Sequence, residues 1–194
     1  DYGMDSEIRA NAQWGAELRD AVTSLSTISI VTDLENLIDP ARGIYVNASG
    51  QGRNWERPAS VDLIHPNGDI GFQIDAGIRP RGNFSASGSN PKHAFRLFFR
   101  EEYGENWLNY PLFAEDGAAR FRKLDLRTAQ NDSWAFQASE QLTFVHDVFS
   151  RDNQAAMGQP YTRSRYHHLY INGQYWGLYQ SQERAEANFG ATYF

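Results

Sequence analysis

Apolar and polar residues alternate over most of this chain, as they do in strands with one buried face. A helical period is sustained only near residues 13–24 and 142–157. The alternation is clearest on either side of Asn172-Gly173. Both residues tolerate φ > 0, which a type I′ turn demands at its two central positions, so a hairpin is predicted there. On its first strand His167, Leu169 and Ile171 share one face, and Tyr166, His168 and Tyr170 the other. On its second, Tyr175, Gly177 and Tyr179 oppose Trp176, Leu178 and Gln180. Large side chains on both faces predict a central hairpin covered on both sides, with Trp176 largely buried. Gly177 in mid-strand predicts close approach of another backbone or a ligand. The hairpin ends in Gln182, Glu183 and Arg184 ahead of a helix start at 185–189. That arrangement suits a core hairpin without chemistry first, and a ligand rim second.

The remaining elements follow the same logic. Trp14, Leu18, Val22 and Leu25 recur at helical spacing and predict a short amphipathic helix that packs. Residues 27–32 are β-branched and alternating, hence a strand; Asp33 caps a turn of helix through Leu37, and Gly43 to Asn47 read as a brief strand. Strands at 59–64 and 70–78 are joined by a turn at 65–69. A loop of small and hydroxyl residues from Arg81 to Pro91 leads into a strand that opens with Lys92 and carries Phe95, Leu97 and Phe99 on one face. Residues 101–122 are irregular and need anchoring by Trp107, Leu108, Leu112 and Phe113. A short strand at 123–127 precedes the longest helical pattern, 142–157, closed by Gly158 and Pro160. Arg151 and Asp152 on it lie beside the sheet or in solvent. Together these predict an α+β fold, a twisted and mostly antiparallel sheet with one principal helix packed on it.

Composition narrows the function. With 194 residues, 41% hydrophobic and 14% aromatic, the chain is globular. A net charge of -6 without a basic block argues against nucleic acid and against a polybasic membrane patch. Absence of cysteine excludes disulfides and thiol chemistry. No apolar run reaches transmembrane length and no signal peptide is visible; both ends read as cuts in a longer protein.

The search for chemistry returns little else. Gly50 and Gly52 form only half a dinucleotide fingerprint, with no helix following, and neither a nucleophile elbow nor a zincin motif occurs. Adjacent His167 and His168 point to opposite faces of a strand and do not chelate one ion together. Asn47, Asn83 and Asn131 begin glycosylation sequons, which short chains acquire by chance. One arrangement has a physical meaning. Amides of the small-residue loop at 81–91 can cradle phosphate oxygens, and Lys92 on the next strand can neutralise them.

The order Arg79-x-Arg81-Gly82-Asn83-x-Ser85, then Pro91-Lys92, then a helix ending at Met157-Gly158, then Tyr170 to Tyr179 around Asn172-Gly173, and Glu183, resembles the CotH family over roughly residues 27–189. The block from Asn172 to Tyr179 is its most specific part. These are spore-coat-type proteins with an atypical protein-kinase-like fold. The resemblance implies the nucleotide-binding lobe of such a domain, with residues 1–26 a lead-in from a preceding module and 27–194 its N-terminal part. Gly82, Asn83 and Ser85 would cover the nucleotide phosphates, Lys92 would reach them, and Glu183 would lie near the sugar or base. The helix at 142–157 would be the one packed on this lobe. ATP with Mg²⁺ is the implied ligand, and Ser/Thr of a surface or coat protein the implied acceptor, in a secreted or cell-surface setting. Phe84 and His93 depart from the family pattern, where a small polar residue and a second lysine are common. The family's base and metal-ligand aspartates fall downstream of the hairpin, so no catalytic or metal residue is assigned and the piece is expected to be inactive alone. Two other classes stay open: a structural or coat-assembly module, and a binding module in which Trp55, Trp107, Trp134 or Trp176 stacks on a sugar.

Overall fold

The computed structural model describes residues 6–88, 90–114, 117–133 and 141–194. Helices α1 (Ser6–Ala10) and α2 (Ala12–Thr23) lead in. Then come β1 (Thr27–Val31), α3 (Leu34–Ile38), β2 (Arg57–Ile64), β3 (Ile70–Arg81), β4 (Ala94–Phe98), β5 (Leu108–Asn109), β6 (Arg120–Phe121) and β7 (Lys123–Arg127). After α4 (His146–Ala156), the hairpin β8 (Ser164–Ile171) and β9 (Gln174–Gln182) is followed by α5 (Ala187–Tyr193).

Seven of these strands close into a barrel in the order β1-β2-β3-β4-β7-β9-β8, with β5 and β6 a separate pair. Every neighbour is antiparallel except β1 and β8, whose parallel register (Thr27↔His168 to Ile30↔Ile171) closes the ring. The α+β expectation, a sheet with one principal helix like a kinase nucleotide-binding lobe, is therefore wrong: the architecture is a mostly-sheet barrel with short helices. Alternation explains why it closes. Ile28, Ile30, Val61, Ile78, Phe95, Leu97, Leu126, Leu169 and Tyr179 all point inward and are essentially solvent-free. A shared interior removes the sheet edges that an open sheet would have to protect.

The helical pattern at 142–157 misled for a physical reason. Only His146–Ala156 is helical, and none of its apolar residues is fully buried: Phe149 is 67% exposed. The buried residue of α4 is Arg151, which donates to Gln180 Oε1 (2.8 Å) and Ser164 Oγ (2.9 Å). The predicted helix at 13–24 is present as α2, but without a buried residue, and Trp14 stands in solvent. Gly43 to Asn47 form turns, not a strand, although Ile44 is fully buried. Leu108, Leu112 and Phe113 do anchor the irregular segment, with Trp107 half-buried beside them.

Asn172 (φ 49°) and Gly173 (φ 76°) make the predicted turn. Asn172 also caps β1 by accepting from the Thr32 amide at 2.9 Å. A Cβ on Gly173 would meet nothing, so only its backbone conformation resists substitution. Gly173→Val is expected to cost on the order of 1–2 kcal/mol in urea titration. An unchanged midpoint would remove the turn from the account. Past the turn, the face assignment fails. The register slips between Leu169 and Tyr170, so that Leu169 pairs with Gly177 but Tyr170 with Tyr175. This bulge makes Trp176 the extra residue and puts Tyr175 outside with Tyr170 and His168, while Tyr179 turns inward on Phe95. Trp176 ends half-buried, edge-on to Tyr45.

Candidate functional site: the loop after β3 and the outer face of the barrel

The loop is built around Gly82. Its φ is 101°, and a Cβ there would lie 2.0 Å from Ser85 Oγ, so glycine is required twice over. Ser85 Oγ closes the turn on the Arg81 carbonyl at 3.0 Å. Asn90 Nδ2 donates to the Phe84 carbonyl at 2.7 Å, and His93 Nδ1 to the Ser85 carbonyl at 2.9 Å. His93, at a departure from the family pattern, thus anchors the loop from beneath.

Strand alternation sets the chemistry beside it. With Ile78, Leu97, Leu124 and Leu126 pointing inward, Arg79, Arg81, Arg96, Asp125 and Arg127 must point outward from β3, β4 and β7. Asp125 is 4% exposed and takes Arg96 through Nε and Nη2, the latter at 3.0 Å. Arg81 Nε lies 3.0 Å from Asp125 Oδ2, but its N–H misses the oxygen, leaving a buried donor without a hydrogen bond. Arg127 pairs with Asp147 at 2.7 Å and donates to Gln182. Burial holds Arg81 below the usual arginine range; Asp125 opposes this, and the neighbouring guanidinium groups add to the lowering. Desolvation does the same to Arg79 and Arg151. This is an outward face with more cations than carboxylates, in a chain whose net charge is -6.

A cavity of about 320 Å³ opens where this face meets the loop. It is lined by Asn83, Phe84, Ser85, Arg127, Ala129, Gln130, Asp132, Phe144, Asp147 and Gln180. Ala129 (φ 54°) and Phe144 (φ 65°) hold left-handed backbone conformations in its wall, a local strain that often accompanies a binding site.

The structure thus brings Asn83 and Ser85 to a cavity, with Gly82 shaping the loop, but it places the other two predicted residues elsewhere. Lys92 precedes β4 and turns along the barrel wall. Its Nζ donates to the Leu178 carbonyl (3.1 Å) and lies 4.9 Å from the centre of the Tyr179 ring. A Cβ on Gly177 (φ 110°) would come within 2.9 Å of that nitrogen, so the close approach predicted at Gly177 is made by a lysine. Burial pushes the Lys92 amine down to about 8. The folded pKa lies below the unfolded value, so the amine's contribution to stability is complete above the unfolded pKa and is lost as pH falls through the folded one. Against Lys92→Met, the wild type should gain on the order of 3 kcal/mol between pH 8 and 10.5. A pH-independent difference would contradict the buried placement.

Glu183 is buried at the far end of β9. It accepts from the Arg163 amide (2.8 Å), pairs with Arg163 Nη1 (3.4 Å) and takes the Tyr193 hydroxyl. It lines a different cavity, with Trp107 and Arg120. His167 and His168 face opposite ways, as predicted. His167 sits between the Ser26 and Ser181 hydroxyls, and burial lowers it to about 3, which keeps it neutral. Among the described residues no three potential ligands cluster around a metal. Nor is any described helix long and apolar enough to cross a membrane. Trp55 is occupied by Gly50 and Arg57, Trp107 by two arginines and Trp176 by Tyr45; Trp134 and Ser89 lie outside the described residues.

Sequence reasoning missed Asp125, Arg127 and Gln180. Asp125 alternates with Leu124 and Leu126, which was the available signal; which strands pair was not.

No curated protein matches the chain. A family model described as CotH kinase protein matches residues 78–193, which takes in the end of β3, the loop, the arginine face and the hairpin. That match covers more than half of the chain, and the protein belongs to the CotH family.

Proposed function

We propose that this chain is the nucleotide-binding part of a CotH-type protein kinase, with ATP as phosphoryl donor and Ser/Thr of a surface or coat protein as acceptor. The observation that carries the reading is the juxtaposition of the Gly82–Ser85 loop with Arg127 and the surplus of guanidinium groups behind it. A triphosphate needs fixed cations and close backbone, and both are offered at one cavity mouth. Arg127 can exchange the half-exposed Asp147 for a phosphate oxygen, while Arg81 has an unused buried donor nearby. Lys92 joins them only by leaving the Leu178 carbonyl, and Glu183 reaches a sugar only by leaving Arg163 and Tyr193. Mg²⁺ would supply charge neutralisation between the phosphates. A secreted or coat location follows from the same family reading.

One observation favours a second reading. Lys92, the expected phosphate lysine, is built into the barrel wall, as suits a structural coat module that keeps the fold without the nucleotide. Calorimetric titration of ATP with Mg²⁺ separates the two. The kinase reading expects a Kd on the order of 0.1–1 mM. It expects Arg127→Gln to weaken binding about tenfold or more, the worth of a charge-assisted contact. A folded wild type that binds no ATP gives the structural reading its place. Equal binding by Arg127→Gln but weakened binding by Lys92→Ala would move the phosphates to the lysine.

A further inference from the structure

A second cationic surface stands apart from the first, on the β5–β6 pair. Leu108 pairs with Phe121 and both are buried, which pins the register of this small sheet. Phe121 therefore points in and Arg120 out, and Arg122, at the bend that follows β6, is exposed as well. Both lie against Trp107: the Arg120 and Arg122 guanidinium carbons are 4.6 and 4.4 Å from its ring centre. Among the described residues neither arginine has a carboxylate within ion-pairing distance. The nearby Glu186 is shared by Lys123 (3.2 Å) and Arg184 (3.6 Å), and Glu183 is spent on Arg163. The cavity beside the pair is lined by Trp107, Arg120, Arg122, Lys123 and Arg184, and by Glu183 and Glu186, both already held in the ion pairs named above.

Two arginines held against one indole have already lost much of their side-chain freedom, and their forks suit carboxylates. Unpaired cations in an acidic chain select an anion, and the two-residue spacing of Arg120 and Arg122 is that of alternate side chains on an extended peptide. We propose that Arg120, Trp107 and Arg122 form a docking site for an extended acidic segment of a partner protein, bearing Asp or Glu at alternate positions. The site is separate from the Gly82–Ser85 cavity and does not depend on nucleotide binding.

The test uses a synthetic peptide with glutamate at alternate positions, followed through Trp107 fluorescence and by anisotropy. The expected result is binding that weakens with salt and falls tenfold or more in R120Q/R122Q. The glutamine version of the peptide should not bind. Should the double variant fail to fold, the wild type alone decides: the glutamate peptide must bind better than its lysine counterpart. Equal binding of the glutamate and glutamine peptides, unchanged affinity in a folded double variant, or a response to inorganic phosphate but not to peptide would each overturn the proposal.

Discussion

Asp125→Ala is expected to be the most damaging single substitution on the outer face. It should cost about 3–5 kcal/mol, the range for removing one partner of a buried charge cluster. The reason is the asymmetry of such clusters. Asp125 is almost completely enclosed and is shared by Arg96, through two nitrogens, and Arg81. Without it, two guanidinium groups from adjacent strands face each other with nothing between them but low-dielectric protein. Replacing Asp125 together with its more buried partner Arg96 by apolar residues would be milder, since only the partly exposed Arg81 then loses its carboxylate. Asp125→Ala should be severe, and Asp125→Leu combined with Arg96→Met much less so. Chemical denaturation measures both, and equal losses would mean that packing, not charge, holds this face together.

The second large effect is expected at Gly177. The bulge gives it a φ of 110°, and the Lys92 ammonium occupies the space where a side chain would begin. Gly177→Ala thus meets backbone strain of about 1–3 kcal/mol and a clash with a buried cation. The clash disappears if the lysine is shortened, whereas the strain does not. In a double-mutant cycle, Gly177→Ala should be less harmful in a Lys92→Ala background, with a coupling of about 1 kcal/mol. Additive effects would show that the glycine serves the bulge alone and that the lysine is incidental.

These two sites also show how far the sequence could be read. Strand positions, the Asn172-Gly173 turn and the opposed histidines follow from local period and turn chemistry, and were legible. The loop was legible as a glycine-dependent turn because Gly82 and Ser85 act within four residues of each other. Barrel closure was not, since it depends on β1 lying parallel to β8, a pairing of segments some 140 residues apart of the kind that the Thr32–Asn172 contact seals. The principal helix was misjudged because period reports amphipathicity and not docking: Phe149 stays in solvent while Arg151 makes the contact. Lys92 was placed by resemblance on the phosphates. Its actual partners, Leu178 and Tyr179, lie on a strand that only the folded barrel brings alongside.

The central claim, that a polyphosphate settles between the Gly82–Ser85 loop and the arginine face, is tested most directly by amide chemical-shift mapping during titration with ATP and Mg²⁺. The account predicts saturable shifts at Gly82, Asn83 and Ser85 together with Arg127, Gln130 and Gln180. Shifts confined to Lys92, Gly177 and Leu178, or no saturable shift anywhere, would contradict it.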